Sequence, residues 1–153
     1  MNTYNFTDQA FKNTASYQNF IATNPSEGYL KIRASAASQA LPISGLKIVV
    51  SKDIDNNNII FFEGATNSSG VIEKIVLPAP KLDPNNLDAP KSTTYLIKAT
   101  YEPDNLNDTY RVNIYENIYV VQTINVVPTL NVMAGDRMWQ WDILLFPIIL
   151  LFT

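Results

Sequence analysis

The 153-residue chain has no cysteine and no histidine. These two absences exclude disulfides, thiolate nucleophiles, Cys/His zinc sites, Ser-His-Asp triads and any histidine general base. Any catalysis must then rest on carboxylate, Lys or Tyr groups. Charge is also scarce, at 16% of residues against roughly 25% in ordinary globular domains, so the surface has to be built largely from Asn, Ser and Thr. The net charge is -3 and no cluster of Lys and Arg occurs along the chain. A chain without a basic face has nothing to neutralise phosphates, which argues against nucleic acid and anionic membranes as partners. The first twenty residues lack the basic and apolar regions of a secretory signal. The expectation is synthesis in the cytosol without a signal peptide, with a final place on a cell, spore or virion surface reached by another route.

Apolar residues are plentiful, at 46%, and the length suits a single domain with a real core. Residues 7–23 read as a short helix or arm. Thr7 or Asp8 can cap it, and Phe11, Ala15, Tyr17, Phe20 and Ile21 are spaced to form an apolar stripe. Asn24-Pro25 ends it, because the residue before proline disfavours helix. From Gly28 the period changes to two: Leu30, Ile32 and Ala34 point inward while Lys31 and Arg33 point outward. Further strands are predicted at 46–52, 59–64, 70–77, 93–101, 109–115 and 119–127. A loop with four prolines over 78–91 separates the fourth from the fifth. Seven short strands with turn signals between them, and no helix-length crossovers, point to an all-β fold, a seven-stranded antiparallel sandwich.

Gly28-Tyr29-Leu30-Lys31-Ile32, Ala40-Leu41-Pro42-Ile43-Ser44-Gly45, Thr66-Asn67-Ser68-Ser69-Gly70 and Leu77-Pro78-Ala79-Pro80 occur in the order found in one family. The chain resembles the carboxypeptidase regulatory-like, or transthyretin-like, β-sandwich, with a first strand, a Pro-Ile-x-Gly lead-in to the second, a Thr-Asp-x-x-Gly turn and a strand ending in Leu-Pro. Thr93-Thr94-Tyr95 and Gln122-Thr123-Ile124-Asn125-Val126-Val127-Pro128 resemble versions in spore-associated and surface proteins of low-GC Gram-positive bacteria. The resemblance covers about residues 28–128, with Asn67 where Asp is common. It implies a transthyretin-like fold and a non-catalytic module. Some Gram-positive sandwiches of this general shape hold an internal Lys–Asn isopeptide bond, which needs an inward Lys; Lys31 and Lys47 fall on the outward phase of their strands.

Several constellations bear on chemistry. Asp53-Ile54-Asp55-Asn56-Asn57-Asn58 begins like a calcium loop, but Asn58 stands where Gly is required and Gly64 where the bidentate Glu belongs, so a solvated hairpin is expected. Glu73 beside Lys74, and Glu63 with Asp53 or Asp55, lie on outward strand positions and read as surface. No metal site, cofactor site or catalytic residue follows. Tyr95, Tyr101, Tyr110, Tyr115 and Tyr119 are either ordinary strand packing or a sugar-binding platform.

The segment Met138 to Thr153 is the most distinctive. Trp139 and Trp141 lead into Ile143, Leu144, Leu145, Phe146, Pro147, Ile148, Ile149, Leu150, Leu151 and Phe152. Each large apolar side chain left in water forgoes roughly 1.5–3 kcal/mol of burial. The run is also well short of the ~20 residues of a spanning helix and is interrupted by proline. Two alternatives stand: a lid strand over its own sandwich, or a strand added to a neighbouring chain. The resulting division is an arm over 1–27, a sandwich over 28–128 and an apolar assembly segment over 129–153. The leading expectation is a structural subunit that self-assembles into a filament or surface layer, such as a bacterial appendage, spore surface or phage virion part. Copies of itself are the expected partners, with other surface or virion proteins as further candidates. Its interface is placed on Phe11, Tyr17, Phe20, Trp139, Trp141, Ile143–Phe146 and Ile148–Phe152. The alternative is an accessory glycan- or protein-binding module of a cell-wall-associated system.

Overall fold

The structure, a computed structural model, describes residues 1–128. The chain runs β1 (Thr3–Asn5), α1 (Gln9–Lys12), α2 (Ala15–Thr23), β2 (Ser26–Ala36), β3 (Leu41–Pro42), β4 (Lys47–Ile54), β5 (Asn57–Ala65), β6 (Val71–Ala79), β7 (Ser92–Tyr101), β8 (Leu106–Tyr115) and β9 (Tyr119–Asn125). The fold is mostly β, as expected. The expected seven-stranded antiparallel arrangement is corrected: nine strands are present among the described residues, and two of the pairings are parallel. One sheet has the order β1-β5-β4-β7-β8; in the other, β2 is flanked by β6 and β9, with β3 paired to its C-terminal end. β1 lies parallel to β5, and β9 parallel to β2. Neither pair is joined by a hairpin, so no tight turn forces an antiparallel course. A helical segment intervenes before β5 is reached, and β9 crosses from the β8 edge to the other sheet.

The inward phase read from alternation is the one observed. Leu30, Ile32 and Ala34 of β2 are buried together with Ile75, Leu77 and Ile124 of their sheet and Ile48, Val50, Ile59, Ile97, Ala99 and Ile114 of the other. Burying one face of each sheet in a shared core is the main source of stability, at about 25 cal/mol per Å² of apolar surface removed from water. The sheets approach closely at Gly28, where a Cβ would overlap the Tyr115 carbonyl oxygen and lie 2.5 Å from Ile114 Cγ2. A polar link joins them too: the Tyr95 hydroxyl of β7 donates to the Pro78 carbonyl of β6 at 2.6 Å.

The turns follow their chemistry. Asp55 and Asn56 both adopt positive φ, 49° and 66°, the two-residue turn that matches strand twist. In the loop before β6, Asn67 Oδ1 accepts from the backbone of Ser69 at 2.9 Å and Val71 at 3.2 Å, as an Asx turn requires. Gly70 then takes φ 76°, a conformation that favours glycine.

The segment 7–23, expected as a short helix or arm, forms two helices, α1 and α2. The Thr14 hydroxyl accepts from Tyr17 N–H at 3.2 Å and so caps α2, which restarts the helix. Asp8 precedes α1, but its carboxylate accepts from the Asn5 N–H at 2.8 Å and leaves α1 without a side-chain cap.

Candidate interaction surface

Among the described residues, three strands have a fully open long edge: β6 and β9 in one sheet and β8 in the other. The outer edge of β5 is partly covered by β1. Open edges invite pairing with other chains, and proteins blunt them with charge and proline. β8 carries Asp108 and Arg111, and β6 carries Glu73, Lys74 and Pro78. β9 has no such device. From Asn117 through Gly135 the chain has no charged residue at all.

The polarity of the β9 backbone follows from two hydrogen bonds. Tyr29 N–H donates to the Ile118 carbonyl at 3.0 Å, and Val126 N–H donates to the Ser35 carbonyl at 2.8 Å. In a parallel ladder this turns the even-numbered residues of β9 toward β2. Tyr119, Val121, Thr123 and Asn125 therefore direct N–H and C=O to the open side, and all four are exposed. The Thr123 carbonyl accepts from the Gln122 side-chain amide at 3.0 Å.

The outer face beside this edge is apolar and aromatic. Across the three strands, Val76, Tyr29 and Tyr119 stand in one row. The Tyr29 and Tyr119 rings stack with centroids 4.9 Å apart, and Lys74 Nζ lies 4.7 Å over the Tyr29 ring. Lys31, in the next row beside Val121, pairs with Glu73 at 3.1 Å. Tyr119 is 55% exposed, Val121 48%, Ile118 46% and Val76 44%, so these apolar side chains are open to a partner.

The predicted interface residues divide into two groups. Phe11 and Phe20 are buried, and Tyr17 packs partly buried against the same core. Phe6 connects them, stacked on Phe61 at 4.5 Å and 5.6 Å from Tyr17, so in this monomer the arm's rings pack on the chain's own sheet. Trp139, Trp141, Ile143–Phe146 and Ile148–Phe152 lie outside the described residues. Of the tyrosines, Tyr95 is buried, Tyr101, Tyr110 and Tyr115 are half-buried, and Tyr119 alone is exposed; the five do not make one platform. Tyr29, Val76 and Val121 were not anticipated from sequence. Alternation marks them as outward, but no sequence signal places β9 beside β2.

Lys52 was not anticipated either. It is half-buried, donates to the Thr94 carbonyl at 3.0 Å, and burial lowers its pKa against the opposing effect of Asp53. A cleft of about 560 Å³ between the end of α2 and the proline loop is lined mainly by Pro25, Pro80, Leu82, Pro84 and Pro90, with Thr23, Lys81 and Asp83 as its polar residues. Among the described residues no group of three acidic side chains is placed to hold a metal, and no helix is long and apolar enough to cross a membrane.

No family model and no curated protein matches the chain. Among solved structures it is similar to GBS52, the minor pilin of the Gram-positive pathogen Streptococcus agalactiae, with 17% identity over 73% of this chain and 49% of that one and a TM-score of 0.46. It is also similar to an (S)-allantoin synthase, with 14% identity over 67% of this chain and 42% of that one and a TM-score of 0.41. The chain thus spans less than half the length of each, and neither likeness carries a functional assignment.

Proposed function

We propose that the chain is a structural subunit that joins copies of itself into a filament or surface layer, with no catalytic role. Its body, residues 28–128, is read as a transthyretin-like sandwich, residues 1–27 as an arm locked to it, and residues 129–153 as the assembly segment. One observation carries this reading: the open edge of β9 is uncharged and unblunted, adjoins an exposed aromatic face, and is the last described strand before the most apolar stretch of the sequence. A free strand edge of this composition is a template for another chain. When the donor and acceptor surfaces differ, the contact repeats without closing and gives an open assembly. A place on a cell, spore or virion surface accords with such a role.

Size-exclusion chromatography with light scattering, followed by negative-stain imaging of the intact chain, tests the proposal. Mass that rises with concentration and extended or sheet-like particles are expected. A monodisperse 17.2 kDa monomer at every concentration overturns it, and binding of that monomer to glycans would favour the accessory-module alternative.

A further inference from the structure

Assembly as proposed above requires an acceptor, and the geometry points to one: we infer that the open edge of β9 receives residues 143–152 of a second copy as an added strand. This rests on the assembly reading and specifies where the contact forms. Tyr119, Val121, Thr123 and Asn125 offer the outward backbone groups, and the Val76–Tyr29–Tyr119 row with Val121 offers the apolar floor.

The choice of edge is electrostatic. Residues 143–152 contain no charge, so pairing them along β8 would desolvate Asp108 or Arg111, and along β6 Glu73 or Lys74, with no opposite charge arriving in return. β9 itself carries no charge to be covered, and Lys31 beside Val121 already has Glu73 as its partner at 3.1 Å. Pro147 sets the phase of the added strand. It has no N–H, so it occupies a position whose backbone faces away from β9, which turns the backbone groups of Phe146 and Ile148 toward β9.

The choice of a second copy follows from chain length. Val126 still donates to Ser35, so the chain leaves the sheet only after that point. About fifteen residues, 128–142, then precede the run, including Gly135, Asp136, Arg137 and Asp142. Hairpin connections take 2–5 residues, and an unstructured connection of about fifteen is uncommon inside a compact domain. Extended, that stretch reaches up to about 50 Å, enough to bridge to an adjoining subunit.

Because the chain has no cysteine, single thiols give an unambiguous test in the full-length protein. Val121→Cys chains are mixed with Leu145→Cys chains under assembling conditions and treated with a short bismaleimide. Cross-linked product at twice the 17.2 kDa subunit mass is expected from this mixture and not when Asn113→Cys, on the β8 edge, replaces Val121→Cys. Val121→Lys in the unmodified chain is expected to raise the concentration needed for assembly by about tenfold; Val121 is exposed, so the fold tolerates it.

Four results would overturn the inference while leaving assembly itself standing. These are equal cross-linking through Asn113→Cys, cross-linking of Val121→Cys chains to one another at the same yield, no cross-link in particles that still form, and a Val121→Cys/Leu145→Cys double variant that links only within its own chain. Absence of any assembly by the parent chain removes the underlying proposal instead.

Discussion

Tyr95 shows how one side chain can tie the two sheets together and leave a signature in solution. Its ring is fully buried and lies edge-on to Phe61 at 5.0 Å, while its hydroxyl donates to the Pro78 carbonyl. Tyr95→Phe keeps the ring but leaves that carbonyl without its donor, a loss of roughly 1–2 kcal/mol, to be read from urea denaturation. Burial also raises the hydroxyl pKa far above the usual tyrosine range. The folded state then holds the proton while the unfolded chain releases it near pH 10. The stability from this group is full below about pH 10 and declines as pH rises beyond it. The gap between parent and Tyr95→Phe should therefore narrow in alkaline denaturation curves, and a constant gap up to pH 11 would contradict this account.

The elements themselves are governed by two kinds of constraint, one visible in sequence and one not. Alternation is local, and the seven predicted strands all exist, with ends moved by at most three residues. β1 and β3 escaped notice because three and two residues are too few to show a period. The parallel course of β9 along β2 escaped for another reason: its partners are some ninety positions apart, Tyr29 beside Tyr119, and periodicity says which face a residue occupies but not which strand lies next to it. The arm was legible as apolar, and Thr14 as a helix restart was the signal overlooked. Gly28 illustrates the non-local kind most sharply, since nothing nearby in sequence demands glycine. Only the Tyr115 carbonyl and Ile114 across the interface leave no room for a side chain. Gly28→Ala must push the sheets apart locally and is expected to cost about 1–3 kcal/mol, seen as a lower urea midpoint with an unchanged slope. A variant as stable as the parent would mean that the sheets are less tightly apposed there.

At the scale of the whole molecule, the distribution of charge decides how copies can meet. The edge strands β8 and β6 carry charge of their own, whereas the stretch from Asn117 to Gly135, which includes β9, carries none. A contact through β9 and the Tyr29–Tyr119 face therefore has backbone pairing and apolar burial as its sources of affinity, with Coulomb attraction nearly absent. Such a contact responds to its surroundings in a characteristic way. Salt screens exposed charges beyond a Debye length of about 10 Å at 0.1 M but leaves apolar burial intact, and sulfate strengthens it. Cooling weakens it, because the driving force near room temperature is the entropy of released water. The assembled fraction, followed by light scattering, should stay level or rise between 0.05 and roughly 1 M salt and fall on cooling toward 4 °C. A steep loss of assembly across the same salt range would contradict a contact through the uncharged edge of β9 and point to a charged edge such as β6 or β8.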